Sequence, residues 1–349
     1  MIGAVLLALA TAATPAPDCA AARQALPGAA ACVASPNGIA LAADEAAARA
    51  LLNEAQVAEG RFRTIFGRDP APFALFSYDD PAFARTAVPA LRSLGFQAVL
   101  PLASPTLMER QMAEAMSRLP SAGGGGAPPR FVRRDGAVGG GEPRGENHVA
   151  HELGHQWYHA AFWPEAATPG AAAVRGAAAN APAPNAPLRA LRYGSAAPDW
   201  MDEAAAMLME NDAGARAYAQ KFADGRSADA ARAAMLPPEI PLAELTRMTH
   251  PAMASMPAPR PGGPVQMVVT GRPTLFYPQA RLFADYLADR SGEPRVLAHI
   301  SQGMAAGATL DAWLAANGAS HKLPVSLAAM QADWDAWLDQ RFGPAPVDQ

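Results

Sequence analysis

Several residue types are scarce in this chain, and each scarcity excludes a class of protein. Its 349 residues include only 2 cysteines, too few for a disulfide-rich scaffold. The 28 basic residues are outnumbered by 32 acidic ones, so no basic excess indicates nucleic-acid binding. After residue 18, no apolar stretch is long enough for a transmembrane helix. Because 50% of the residues are hydrophobic, the chain can nevertheless bury a substantial core.

The N-terminus resembles a signal peptide. Ile2 to Ala13 is apolar, and its small residues offer a cleavage site before a Pro-rich stretch. We therefore expect residues 1–17 to direct export to the periplasm or the medium, although a buried helix is the alternative. Residues 18–42 are expected to form a separate N-terminal segment. In an oxidising compartment Cys19 and Cys32 would close a small loop there, and otherwise they are ordinary thiols.

Residues 43–146 have the pattern of a small α/β lobe. A strand, a helix and a strand in series are typical of such a lobe. Periodicity and bounding Gly and Pro residues predict a helix over Asp44 to Phe66, strands over Phe73 to Tyr78 and Phe96 to Leu102, and a helix over Ala82 to Leu94.

Residues 147–349 predict a mostly helical lobe, interrupted by an irregular Ala/Pro-rich insert over 166–198. Helices are predicted from the capping residue Asn147 to Phe162, from Asp199 to about Asp212, along the apolar face of Phe276 to Leu287, and along that of Leu327 to Leu338. The fold class expected for the whole chain is therefore α+β.

Two segments in the helical lobe carry metal-binding chemistry. His151-Glu152-Leu153-Gly154-His155 is an HExxH motif. On a helix, residues four apart are offset by about 40°, so both imidazoles can bind one zinc ion, while Glu152 is rotated by about 100° and can act on water. Zinc needs a third protein ligand, and a better candidate than the nearby His148 and His159 is a carboxylate early on the next predicted helix, within Pro198 to Ala205.

The segments HELGHQW and WMDEAAAMLME together resemble the gluzincin metallopeptidases, especially the aminopeptidase N-like family and the peptidase-MA-like domains. The pattern of these families is HExxHxW, then W-x-x-E-G/A with a further Glu seven residues on. The resemblance implies that His151, His155 and Glu203 bind one zinc ion per chain, in a cleft between the two lobes, and that Glu152 is the general base. Asp202 and Glu210 are candidates for orienting a histidine. The alternative, that they are solvated or capping carboxylates, is equally compatible with the sequence.

A third segment, Phe276-Tyr277-Pro278-Gln279-Ala280, is similar to the gluzincin segment in which a Tyr precedes a Lys/Gln-Gly/Ala step at a helix start. The resemblance implies that the hydroxyl of Tyr277 donates to the oxyanion formed during peptide hydrolysis. The alternative is a buried core tyrosine.

Together these features predict an exported zinc peptidase that acts on a peptide or protein substrate. One alternative is a gluzincin-fold module that binds peptides or envelope partners without catalysis, which the presence of Glu152 disfavours. Another is a zinc hydrolase of a non-peptide amide or ester. The sequence carries no signal for the oligomeric state.

The expected mode of cleavage follows from a departure from the family pattern. The aminopeptidases bind the substrate amine with a GxMEN segment some two dozen residues before HExxH, whereas Gly145-Glu146-Asn147 directly precedes the motif helix here. We therefore assign no amine-binding role to Glu146. The Gly-rich segment Gly123 to Gly141 contains a strand-like portion, Arg130 to Arg134, against which an extended peptide could pair. This favours an endopeptidase or a protease that needs an extended substrate.

Overall fold

The computed structural model describes residues 18–26, 31–117, 147–164, 196–226, 239–251 and 275–343. Within these ranges the chain is a mixture of helices and one small sheet, which confirms the α+β class. Residues 1–17, the strand-like portion Arg130 to Arg134 and most of the predicted insert 166–198 lie outside the described residues.

The chain divides into two compact units at boundaries that differ from the expected ones. The first unit comprises the residues up to Leu52 together with Pro72–Glu114, and the second comprises Asn53–Ala71 together with the residues from Ala115 onward. Residues 18–42, expected as a separate segment, therefore belong to the α/β unit. Part of the helix predicted over Asp44 to Phe66 belongs to the helical unit instead.

The first unit is built on a four-stranded sheet of order β1-β2-β3-β4. Its strands are β1 (Ala31–Ala34), β2 (Gly38–Ala42), β3 (Phe73–Tyr78) and β4 (Ala98–Ala103). Strand β1 pairs antiparallel with β2, and the other two pairs are parallel. Its helices are α1 (Cys19–Ala25), α3 (Pro81–Ser93), most of α4 (Pro105–Ser117) and the first part of α2 (Glu45–Phe66).

A disulfide joins the N-terminal helix of the first unit to its edge strand. Cys19 at the start of α1 is bonded to Cys32 in β1. Both cysteines pack against a buried apolar cluster that includes Ala22, Phe76 and Val99. The cross-link therefore holds α1 against the core of this unit.

The described residues of the second unit form helices and connecting segments, with no strand among them. Besides the C-terminal part of α2, its α-helices are α5 (His148–Phe162), α6 (Asp199–Met209), α7 (Asp212–Gly225), α8 (Leu242–Leu245), α9 (Phe276–Ser291), α10 (Val296–Ala305), α11 (Leu310–Asn317) and α12 (Leu327–Phe342). None of the described helices in either unit is long and apolar enough to cross a membrane.

Tryptophans form the centre of the second unit. Trp157 on α5 is fully buried against Phe62 of α2, and its indole N–H donates to the carbonyl of Ala71 at 3.0 Å. Trp200 on α6 is also fully buried and packs against Phe283 of α9, with ring centroids 5.1 Å apart. These two contacts fix α5 and α6, the helices that carry both metal-binding segments.

Candidate metal centre

Helices α5 and α6 approach each other closely because Gly154 has no side chain. A Cβ atom added at Gly154 would lie 2.7 Å from the Cα atom of Ala206 on α6, well inside ordinary van der Waals contact. Helix α5 carries His151 and His155 one turn apart, and α6 carries Glu203 in its first half. The close approach of the two backbones therefore brings two imidazoles to one carboxylate.

The three predicted ligand residues converge on one point. The Nε2 atoms of His151 and His155 are 3.3 Å apart. Each of them lies 3.7 Å from an oxygen of Glu203, and the ligand atoms of all three residues lie within 4.8 Å of one another. Two nitrogens bound tetrahedrally to one ion at 2.0–2.1 Å are separated by about 3.3 Å, so this group could hold a metal ion.

Two carboxylates hold the histidines in the orientation that a metal ion requires. The Nδ1 atom of His151 lies 2.8 Å from Oε1 of Glu210, and the Nδ1 atom of His155 lies 2.8 Å from Oδ1 of Asp202. A carboxylate accepts a hydrogen bond from Nδ1, so in the neutral imidazole that binds a metal ion the proton resides on Nδ1 and the lone pair resides on Nε2. Asp202 and Glu210 are thus not solvated carboxylates, since both are buried against a histidine.

A break between two helices positions Glu210. The sequence predicted one helix over Asp199 to about Asp212, but α6 ends at Met209 because Glu210 is extended (φ −65°, ψ 160°). Asn211 then caps α7, accepting from the backbone N–H groups of Ala213 and Gly214. The extended backbone at Glu210 is what directs its carboxylate to His151.

Asn147 occupies the N-terminal cap position of helix α5 as predicted, but its side chain makes no capping hydrogen bond. Its Oδ1 atom instead accepts from the backbone N–H of Asn211 at 3.0 Å, and the N–H of Ala150 in the first turn donates to Glu54 of α2. The side chain of Asn147 therefore connects the start of α5 to the α6–α7 break beside Glu210.

Glu203 has the environment expected of a metal ligand. Its side chain is fully buried, and neither carboxylate oxygen has a hydrogen bond of regular geometry to a described residue. A buried carboxylate without compensation is strongly destabilising. The Nε2 atom of His250 lies 3.0 Å from Oε1 of Glu203. A cation beside His151 and His155 would add to the charge compensation that the neighbouring histidines provide, so the residues present fit a metal ion.

The pKa values of the site also favour a positive charge at this position. Burial alone would lower the pKa of His155, but the charges of Asp202 and Glu203 raise it to about 9. Burial alone would raise the pKa of Asp202, but His155 and His159 hold it well below its usual range. Burial also opposes ionisation of Glu203, whose pKa is nevertheless lowered, mainly by His155. The carboxylates therefore stay ionised and attract a cation.

Glu152, the predicted general base, is not one of the three converging residues. It follows His151 directly on α5, and its side chain is 21% exposed. Its Oε1 atom lies 4.0 Å from Nδ1 of His148, one turn earlier on the same helix. The carboxylate is therefore accessible to solvent beside the buried ligand group.

Tyr277, the predicted oxyanion donor, lies at the same site. It occupies the first turn of α9, and its hydroxyl lies 2.9 Å from Nε2 of His250. Burial, and then the charge of Glu203, raise the pKa of the Tyr277 phenol well above its usual value. The phenol is therefore protonated at every physiological pH and available as a hydrogen-bond donor.

His250 is the residue of this site that the sequence did not predict. It is almost fully buried, and its Nε2 atom contacts both Glu203 and Tyr277. It belongs to no motif, and the sequence shows only that it lies between Glu203 and Tyr277 along the chain. The one available signal was its type, since the whole chain has only 7 histidines.

The remaining site predictions fall on Glu146 and on the segment Gly123 to Gly141, which lie outside the described residues.

Comparison of the chain with protein-family models, with curated proteins and with solved structures found no match. What the site does must therefore be argued from its own chemistry.

Proposed function

We propose that this chain is an exported zinc-dependent peptidase of the gluzincin type, in which His151, His155 and Glu203 bind one zinc ion. The observation that carries the proposal is the convergence of two imidazoles and one buried carboxylate, with a second carboxylate in contact with Nδ1 of each imidazole. Imidazole and carboxylate ligands suit zinc, and three protein ligands leave a coordination position open for catalysis. Zinc, when bound, polarises a substrate carbonyl and lowers the pKa of a water molecule towards 7.

Glu152 supplies the proton transfers of the reaction. Its carboxylate accepts a proton from the attacking water as the oxygen bonds to the scissile carbonyl carbon. It then gives that proton to the amide nitrogen as the C–N bond breaks, so the product leaves as a neutral amine. The partly exposed position of Glu152, next to His151, supports this role.

Tyr277 stabilises the charge that develops on the carbonyl oxygen. As water adds to the carbonyl, this oxygen becomes an oxyanion, and a positioned O–H donor stabilises it more than the neutral ground state. The raised pKa of the Tyr277 phenol supports the role, because only the protonated phenol can donate.

The disulfide and the N-terminus support export. A bond between Cys19 and Cys32 is typical of proteins in oxidising compartments, where residues 1–17 would direct the chain. The sequence supports cleavage of extended substrates, because it supplies no amine-binding carboxylate at the spacing that aminopeptidases use.

The first test is zinc content with peptide hydrolysis. Purified protein should contain about one zinc ion per chain, and His155→Ala should lose it. Incubation with a peptide library should give cleavage that a chelator abolishes and added zinc restores. Zinc binding without cleavage of any peptide would favour either the peptide-binding module or a hydrolase of other amides or esters.

Glu152→Gln separates catalysis from metal binding. The amide cannot accept a proton, so kcat should fall by about 10²–10⁴-fold, while zinc content and thermal stability stay unchanged. Glu109→Gln, which alters an exposed carboxylate on α4, is the matched control and should retain full activity. Equal turnover in Glu152→Gln and wild type would remove Glu152 from the mechanism.

The mode of cleavage is tested with two substrates. We expect an internally quenched, N-acetylated peptide to be hydrolysed and an aminoacyl-anilide with a free amine to be hydrolysed slowly. Rapid hydrolysis of the anilide, with the blocked peptide left intact, would show an aminopeptidase instead.

A further inference from the structure

His250 lies between a metal-site carboxylate and the tyrosine hydroxyl. Its Nε2 atom is 3.0 Å from Oε1 of Glu203 and 2.9 Å from the hydroxyl oxygen of Tyr277. Its ring also packs edge-on against the ring of Tyr277, with centroids 5.3 Å apart. One nitrogen atom thus connects α6 to α9 at the position where each carries its functional side chain.

The backbone that carries His250 is fixed to these same two helices. The backbone N–H of His250 donates to Oδ2 of Asp199, one turn before Glu203 on α6, at 2.6 Å. Ten residues earlier in the same segment, the side-chain amide of Gln279 on α9 bonds to both the N–H and the carbonyl of Ile240. Gln279 is two residues from Tyr277, so the segment cannot shift without disturbing both helices.

The surroundings of Nε2 determine where its proton lies. A lone pair on Nε2 would face the ionised oxygen of Glu203 at 3.0 Å, which is electrostatically unfavourable. An N–H at the same position is attracted to that oxygen, so Nε2 carries the proton. This one hydrogen can be shared with the hydroxyl oxygen of Tyr277, 2.9 Å from Nε2, which then acts as an acceptor. A hydroxyl has one donor hydrogen in addition to its acceptor lone pairs, so the O–H hydrogen of Tyr277 remains available.

We propose that His250 is a positioning residue, which holds Glu203 in place as the third metal ligand and orients the Tyr277 hydroxyl so that its hydrogen is directed to substrate. The part that concerns Glu203 depends only on metal binding. The part that concerns Tyr277 rests on the proposed function. His250 does not belong to the described group of residues whose ligand atoms converge, so it acts on the metal through Glu203.

Zinc affinity, measured by competition with a chelator, tests the first part without any substrate. His250→Ala should weaken zinc binding about 10–100-fold, as loss of a group that orients a ligand does. His250→Gln should regain most of the affinity, because its amide nitrogen can donate from near the position of Nε2. His250→Asn should not, because its shorter side chain does not reach Glu203. Tyr277→Phe should bind zinc as wild type does.

A matched control separates positioning from general destabilisation. Leu314→Ala removes a fully buried side chain from α11, a helix that carries none of the site residues, and should lower the unfolding temperature without weakening zinc binding. Equal affinities of His250→Ala and wild type would overturn the first part. So would equal weakening by His250→Ala and Leu314→Ala.

Kinetic measurements test the second part. If His250 acts through Tyr277, both His250→Ala and Tyr277→Phe should lower kcat more than they raise KM. In zinc-saturated protein, the kcat of the double variant should be only slightly lower than that of the less active single variant. Multiplicative losses would overturn this part.

Crystal structures give a readout that needs no activity. In zinc-loaded His250→Ala, the side chains of Tyr277 and Glu203 should move from their wild-type positions, and unchanged positions would overturn the proposal. A protein that hydrolyses no peptide but shows these shifts and the affinity loss would contradict the proposed peptidase activity and support the role of His250.

Discussion

Asp202 holds Nδ1 of His155, and this contact sets how the site responds to pH. The neighbouring carboxylates raise the pKa of His155 to about 9, so the residue is protonated at pH 7 in the metal-free protein. A metal ion needs the lone pair of Nε2, so zinc must displace a proton. Apparent zinc affinity should therefore rise by up to about tenfold per pH unit between pH 7 and 9, and level off above pH 9.

Asp202→Asn provides the contrast for this prediction. Without the charge of Asp202, the pKa of His155 falls, so the rise in zinc affinity should level off at a lower pH. The affinity at pH 9 should also be about 10–100-fold weaker, because the imidazole is less firmly oriented. Asp69→Asn, at a carboxylate that is 91% exposed, should leave the wild-type profile unchanged. A wild-type affinity that is constant from pH 7 to 9 would contradict the argument.

Sequence alone named His151, His155 and Glu203 because a helix fixes the spacing of the first two and a second motif supplied the third. It could not decide the roles of Asp202 and Glu210, since a carboxylate beside a histidine and a solvated one have the same local pattern. It missed His250 because that residue reaches the site only through tertiary contacts with α6 and α9. Local spacing carries no information about such contacts.

The crossing of α5 and α6 depends on Gly154. In Gly154→Ala, the added methyl would clash with the Cα atom of Ala206, and a backbone atom cannot move aside alone. The two helices must therefore separate, which should cost about 1–3 kcal/mol of unfolding free energy. Zinc affinity should fall as well, because the ligands lie on both helices. Denaturant unfolding and chelator competition measure the two effects.

Gly60→Ala is the matched control for Gly154→Ala. Gly60 also lies within a helix, α2, but a Cβ atom there would meet nothing within 4 Å. The change should stabilise the protein by about 0.5–1 kcal/mol, because alanine loses less conformational freedom than glycine on folding. If both variants are stabilised alike, α5 and α6 do not pack as closely as described.

The sequence predicted the strongly periodic elements and failed where tertiary structure decides. Helix α5 begins one residue after its predicted start, and β3 has its predicted bounds. Strands β1 and β2 were missed because their short, Ala-rich sequences show no alternation of polar and apolar residues. They become strands by pairing with each other and with β3.

The disulfide and the metal ligands belong to different units of the chain. Cys19 and Cys32 lie in the first unit, whereas His151, His155 and Glu203 lie in the second. The sequence predicted an α/β part followed by a helical part. It could not predict that residues 53–71 leave the first unit, because α2 is one uninterrupted helix across that boundary.

This division predicts that loss of the disulfide weakens the first unit and spares the metal site. The cysteines are 13 residues apart, and a cross-link that closes such a loop contributes about 3 kcal/mol by restricting the unfolded chain. The double variant Cys19→Ser, Cys32→Ser should therefore unfold at a lower denaturant concentration. Hydrogen exchange should accelerate in β1, β2 and β3, while zinc affinity stays within a factor of about two of wild type. Reductant should produce the same change in wild type and none in the double variant. A large loss of zinc affinity would show that the metal site depends on the first unit and would contradict the prediction.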